Sequence, residues 1–133
     1  MPSNKLLKKL FKEDQQDRRK IKDTKQFMNW LVRRDLERRK KLQGLIRKKL
    51  LKTAEDYFMA AMIFQHGGTV QYVKKARELA KKAMGLGNKD ARWLYAAATD
   101  RILMMQGKKQ KFGTQYVQKD GKYQLYPVKS QNN

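Results

Sequence analysis

The chain has 133 residues, one histidine, no cysteine and a net charge of +21. The absence of cysteine excludes disulfide frameworks and cysteine nucleophiles, and a lone histidine makes a catalytic zinc site unexpected, so no metal or other cofactor is predicted. Because no apolar run approaches the ~20 residues of a membrane span, and the N-terminus lacks a signal-peptide core, we expect a cytoplasmic protein with one domain over residues 1–129 and a flexible tail at 130–133.

Apolar spacing predicts two long helices in the first half of the chain. The first covers residues 4–22 and is expected to be capped by Ser3. The second covers residues 25–49 and begins after Thr24. Its middle, residues 33–41, is nearly all charged and is expected to be solvated, and Gly44 could mark a bend or break.

Three shorter helices are predicted next, over residues 54–66, 70–84 and 88–106, with Thr53 and Asn88 as caps of the first and last. Their alanines allow close approach, similar to the helix pairs of tetratricopeptide-like solenoids, although one pair does not make a repeat array. Asp120–Gly121 between β-prone residues predicts a hairpin. The predicted fold class is therefore mainly α, a compact bundle of about five helices with a small C-terminal β-hairpin.

The first polar group in the predicted helices surrounds Asp14, which follows Leu10 by one helical turn. Arg18 lies one further turn along, and the group is completed by Glu13 and Gln15. An exposed Asp14–Arg18 pair of small energetic value is the alternative to a functional site.

The second group is Gln65 and His66, at the end of the third predicted helix. Since His66 follows Met62 and Ile63, its ring is expected to face protein. The imidazole either caps the helix C-terminus or acts as a general acid or base, and sequence reasoning leaves both open.

The third group, Asp100 and Arg101, projects from an otherwise apolar helix. Buried charges must be paired or hydrogen-bonded. Arg101 could therefore clamp an anion while Asp100 orients His66 or Arg101, or the two charges could belong to a structural network.

The fourth group, Gln110, Thr114 and Gln115, lies in the glycine-punctuated segment 107–115. Its side chains can donate and accept hydrogen bonds, but the glycine spacing is not that of a P-loop. The alternative is a tail held across the helices by hydrogen bonds.

The four polar groups lie in short sequence motifs, to which Asp56–Tyr57 can be added. The motifs are EDQ at 13–15, FQHG at 64–67, ARWLYAAATDR at 91–101 and GKKQKFGTQ at 107–115. Over about residues 10–118 the chain resembles a bacterial family known only as a domain of unknown function. The resemblance implies a helical fold in which these polar motifs belong to one site, but no reaction is established for the family. Phe112 replaces the family's usual tyrosine, and the chain is far more basic than typical members.

The predicted function is binding, or hydrolysis, of an anionic phosphorylated small molecule at a composite polar site. We assign proton transfer to His66, orientation to Asp100 and anion binding to Arg101. Eight further residues are predicted to bind the ligand: Glu13, Asp14, Gln15, Arg18, Gln65, Gln110, Thr114 and Gln115.

Two alternatives rest on the positive charge. A non-enzymatic nucleic-acid- or ribosome-associated protein would use the basic side chains of the second helix. These are Arg33, Arg34, Arg38, Arg39, Lys40, Lys41, Arg47, Lys48 and Lys49. A membrane-surface protein, or a partner of an acidic protein, would use the basic amphipathic first helix. The oligomeric state is left open.

Overall fold

Among the residues that the structure describes, five helices are followed by one two-stranded hairpin, which confirms the predicted fold class. The computed structural model describes residues 1–20 and 22–130. The elements are α1 (Lys5–Arg19), α2 (Lys25–Arg47), α3 (Ala54–Gln65), α4 (Val70–Gly85), α5 (Ala91–Met105), β1 (Tyr116–Lys119) and β2 (Lys122–Leu125). Of the predicted tail, Ser130 is described and residues 131–133 lie outside the described part.

Helix α1 is capped by Asn4 and not by Ser3 as predicted. The Asn4 side chain accepts a hydrogen bond from the backbone N–H of Leu7 at 2.9 Å. Ser3 instead bonds across to the start of α3, through Thr53 Oγ1 at 3.2 Å and Glu55 at 2.8 Å. Its hydroxyl joins two helix starts that are 50 residues apart, a use that local helix rules do not anticipate.

Helix α3 begins with the predicted Thr53 cap, and Asp56 completes a capping box. The buried Asp56 carboxylate accepts backbone N–H groups from Lys52, Thr53 and Asn4 at 2.8–3.1 Å. Burial opposes ionisation of Asp56, and these donors outweigh it, so its pKa lies below the ordinary value. Asp56 thus links the N-terminus of α1 to that of α3.

The main core lies between the first four helices. It contains Leu7 and Leu10 of α1, Leu42 and Leu45 of α2, Met59, Ile63 and Phe64 of α3, and Ala76 of α4. The apolar side chains that a membrane-surface helix would present to lipid are therefore largely inside the protein, although Leu6 is exposed. Helix α2 continues through Gly44 without a break.

The charged middle of α2 is not a solvated stretch, and that prediction is wrong for three of its residues. Asp35, Arg38 and Arg39 are buried. Helical spacing alone does not distinguish a solvated charge from one that faces another helix. Here Asp35 and Arg38 face charged side chains of α1, and Arg39 faces the ring of Tyr72 in α4.

Helices α3, α4 and α5 pack through small side chains, as their alanines predicted. Ala61, Ala80 and Leu94 form one contact cluster. Connections of four and five residues, 66–69 and 86–90, join the three helices. Helix α5 begins later than predicted, at Ala91, although the Asn88 side chain still accepts the Ala91 N–H at 3.0 Å.

The predicted hairpin is confirmed. Strands β1 and β2 are antiparallel, with Lys119 opposite Lys122. Both turn residues, Asp120 and Gly121, have positive φ (52° and 76°), as a two-residue type I′ turn requires. Within residues 1–20 and 22–130, no helix combines the length and apolarity needed to cross a bilayer.

Candidate functional site

Carboxylates and guanidinium groups from α1 and α2 form a buried ion-pair network. Its members are Asp14, Asp17, Asp35, Arg18, Arg34 and Arg38. Arg38 bonds to Asp17 and to Asp35, each at 2.6 Å, and Arg18 bonds to Asp35 at 2.7 Å. Burial opposes ionisation of Asp17 and Asp35, and the arginines outweigh it, so both pKa values lie below the ordinary one.

This network removes part of the surface that the nucleic-acid alternative requires. Arg38 is buried within it, and Arg34 bonds to Asp17 at 2.6 Å. Arg39 is buried with its guanidinium 4.5 Å from the centre of the Tyr72 ring. The exposed members of the predicted set are Arg33, Lys40, Lys41, Arg47, Lys48 and Lys49.

His66 lies directly after α3, where its ring reaches Asp14 of α1. The Nδ1 atom of His66 is 3.0 Å from Asp14 Oδ1. Asp14 is fully buried and also accepts bonds from Arg18 at 3.0 Å and Gln15 at 2.9 Å. Asp14, and not Asp100 as predicted, therefore orients the imidazole. In the described part of the chain no group bonds to Nε2, and the His66 side chain is 20% exposed.

Arg101 lies beside this pair without a carboxylate partner among the described residues. Its Nη2 donates to the carbonyl oxygen of Gly67 at a long 3.4 Å, and its buried Nε has no hydrogen-bond partner within residues 1–20 and 22–130. Burial lowers the pKa of Arg101, and the positive charge of nearby Arg18 lowers it further. The guanidinium is therefore a half-buried charge that no described carboxylate neutralises.

Position 67 requires glycine because Tyr72 of α4 lies against its backbone. A Cβ on Gly67 would overlap the Cβ and ring atoms of Tyr72. The missing side chain lets the backbone fit beside Tyr72 while its carbonyl faces Arg101.

Asp100 belongs to a different arrangement, which we call the Asp100 clasp. Its buried carboxylate accepts the N–H groups of Lys111, Phe112 and Thr114 at 2.7, 2.8 and 3.0 Å, and the Thr114 hydroxyl at 2.7 Å. Burial opposes ionisation, and the four donors outweigh it, so the Asp100 pKa lies below its ordinary value. The carboxylate thus holds the loop that follows α5.

Gln110 and Gln115 form further hydrogen bonds that hold the C-terminal segment together. The fully buried Gln110 amide donates to the carbonyls of Gln115 at 3.0 Å and Tyr126 at 2.6 Å, and accepts the Gln115 N–H at 2.9 Å. The Gln115 amide donates to Thr114 Oγ1 at 3.0 Å. The fourth polar group thus straps the C-terminal segment together, the alternative that sequence reasoning left open.

The predicted residues divide into two sets. Hydrogen bonds join Asp14, Gln15, Arg18 and His66, and Arg101 adjoins them through its bond to the carbonyl of Gly67, the residue after His66. We call these five residues the His66 cluster. Asp100, Gln110, Thr114 and Gln115 form the Asp100 clasp and its extension. Two predicted residues belong to neither set: Gln65 is buried and its Oε1 atom has no partner in the part of the chain that the structure describes, and Glu13 is half-buried.

Sequence reasoning missed Asp17 and Asp35 as partners of the arginines. A signal was present, because Asp14 and Asp17 follow Leu10 by one and two turns and so share its buried face. Asp35 and Arg38 also have the spacing of an intrahelical pair. Residues 1–20 and 22–130 contain no group of histidine and acidic side chains that could hold a metal ion.

Comparison with protein-family models, curated proteins and solved structures finds no match to this chain. The resemblance to an uncharacterised bacterial family therefore stays a prediction, and the function is argued from the geometry.

Proposed function

We propose that the His66 cluster binds an anionic small molecule of the phosphate or phosphomonoester class. The observation that carries the proposal is Arg101, a half-buried guanidinium with no carboxylate partner among the described residues. Arg18, by contrast, is neutralised by Asp14 and Asp35. Because an unpaired charge in a partly desolvated site is unfavourable, an anion that bonds to Arg101 supplies the missing partner.

The same cluster has the groups that a hydrolytic step needs. With Nδ1–H donated to Asp14, the basic nitrogen of His66 is Nε2. This nitrogen accepts a proton as a water oxygen bonds to phosphorus. The ester P–O bond then breaks, and the leaving oxygen takes the proton back from His66 while Arg101 stabilises the charge on the phosphoryl oxygens. Asp14 holds the ring in position.

The binding step is tested with inorganic phosphate at constant ionic strength, by titration calorimetry on the wild type and two variants. Arg101→Met removes the unpaired guanidinium, and Arg92→Met removes an exposed arginine of the same helix, so both lose one positive charge. We expect Arg101→Met to weaken binding by about tenfold or more, the loss typical of a charge-assisted hydrogen bond. Arg92→Met should bind as the wild type does.

Equal phosphate affinity in the wild type and Arg101→Met would overturn the proposed site. An equal loss in both variants would also overturn it, because the binding would then depend on net charge alone.

The hydrolytic step is tested separately with p-nitrophenyl phosphate. We expect His66→Gln to abolish turnover while phosphate still binds through Arg101. Turnover that persists in His66→Gln would remove His66 as the proton-transfer group and leave the binding proposal intact.

A further inference from the structure

Residues 107–130 are rich in lysine and poor in acidic side chains. Residues 107–130 contain six lysines and one acidic residue, Asp120. Four of the lysines, Lys108, Lys109, Lys111 and Lys129, form no ion pair among the described residues. This contrasts with Arg34 and Arg38 of α2, which are offset by the buried carboxylates of Asp17 and Asp35.

These four lysines surround one cavity. It has a volume of about 630 Å³, and Thr99 and Leu103 of α5 contribute the rest of its lining. The Thr99 hydroxyl is already used, since it donates to the carbonyl of Tyr95 at 2.9 Å. The cavity therefore lies among four lysine side chains, its lining is mostly apolar surface, and no carboxylate contributes to it.

The lysines are held together by backbone hydrogen bonds. The N–H of Lys129 donates to the Gln110 carbonyl at 2.8 Å, and the N–H of Gln110 donates to the Pro127 carbonyl at 3.0 Å. This pairing places Lys129 beside the loop that carries Lys109 and Lys111. The Asp100 clasp fixes the same loop to α5, so the arrangement of charges is built by the fold.

An aromatic ring adjoins the cavity. A second, smaller cavity is lined by Lys111, Phe112, Lys129 and Ser130, so it shares two lysines with the first. Phe112 is 47% exposed, and the Lys111 ammonium lies 5.1 Å from the centre of its ring. The two cavities together make a continuous basic surface with one open aromatic face.

This surface is separate from the His66 cluster. Thr99 and Leu103 are one turn apart and share a face of α5, whereas Arg101 projects roughly 160° away from both. A ligand in the lysine cavity would therefore lie on the opposite side of α5 from Arg101.

We propose that the lysine cavity and Phe112 bind single-stranded nucleic acid without sequence preference. Flexible ammonium groups attract successive phosphates, and an exposed ring stacks on a base of any identity. The cavity lining has no amide or carboxylate group to read the edges of adenine or cytosine, and its flexible lysines can contact phosphates whatever the base sequence. A recessed floor beside an exposed ring fits an unstacked base better than a duplex.

The test measures binding of a fluorescein-labelled oligo(dT) of about 12 nucleotides by fluorescence anisotropy, between about 50 and 200 mM salt. One variant combines Lys108→Gln, Lys109→Gln, Lys111→Gln and Lys129→Gln. The matched control combines Lys40→Gln, Lys41→Gln, Lys48→Gln and Lys49→Gln, which remove the same charge from the exposed face at the end of α2. Circular dichroism confirms that both variants are folded.

We expect the cavity variant to flatten the slope of log K against log salt by about 3 if all four lysines contact phosphates. The α2 control should change the slope much less. Phe112→Ala should weaken binding by about tenfold, and Phe112→Trp should restore it.

An equal change in the two lysine variants would overturn the proposal, since binding would then follow net charge. Unchanged affinity in Phe112→Ala would also overturn it. Two further binding measurements use a mononucleotide and anionic lipid vesicles. A mononucleotide that binds as tightly as the oligomer would overturn the assignment to single-stranded nucleic acid. Vesicles that bind while the oligomer does not would also overturn it.

Discussion

Asp100 and Arg101 are consecutive residues of α5, both set in apolar sequence, yet their surroundings are opposite in kind. The Asp100 carboxylate accepts four hydrogen bonds from one loop. Among the described residues, Arg101 has one long hydrogen bond, to the Gly67 carbonyl, and a buried Nε atom without a partner. A charge whose hydrogen bonds are all supplied by the chain contributes to the fold, whereas an incompletely bonded one is a candidate for binding a ligand.

The largest change in stability is expected when the Asp100 clasp is removed by mutation. We expect Asp100→Ala to lower the free energy of unfolding by about 3 kcal/mol or more, because three backbone N–H groups and one hydroxyl lose their acceptor. Urea denaturation at neutral pH measures the change. A loss below about 1 kcal/mol, the value of a single hydrogen bond, would mean that the loop finds other acceptors and that the clasp is not structural.

An intermediate effect is expected in the pH dependence of stability that Asp100 contributes. Because the folded-state pKa of Asp100 is lowered from 3.8, its stabilising contribution is complete above that value and is lost as pH falls through the folded-state pKa. The difference in unfolding free energy between the wild type and Asp100→Ala should therefore be constant from about pH 6 to 8 and shrink below about pH 4. Urea titrations across this range would contradict the assignment if the difference grew in acid.

The smallest effect is expected at Arg101. Replacing it with methionine keeps an unbranched apolar stem and removes a half-buried charge that has no carboxylate partner among the described residues. We expect the free energy of unfolding, measured without added anion, to stay within about 1 kcal/mol of the wild type or to rise. A loss comparable to that of Asp100→Ala would show that Arg101 also belongs to the scaffold.

The helices and the hairpin could be predicted because their determinants are local. Thr24 and Thr53 cap helices within three residues, and Asp120–Gly121 forms its turn from adjacent residues. The burial of Arg38 could not be predicted in this way, because its partner Asp17 lies on another helix, 21 residues earlier.

The same limit applies to the candidate site. Sequence reasoning identified His66, Asp14 and Arg18 as polar residues in apolar surroundings, but it gave Asp100 the role of orienting His66. Asp14 and His66 are 52 residues apart and meet only through the packing of α1 on α3. Such a pairing depends on tertiary geometry, which helical periodicity does not contain.

That separation also has a consequence for the order of folding. Helices α3, α4 and α5 are joined by short connections, so their mutual contacts close small loops, whereas the bonds of α1 to α3 close a loop of about 50 residues. We expect α1 to dock late and to detach first in native-state hydrogen exchange. The imidazole of His66 would then gain and lose its carboxylate partner each time α1 docks and detaches, while the alanine-lined helices stay folded.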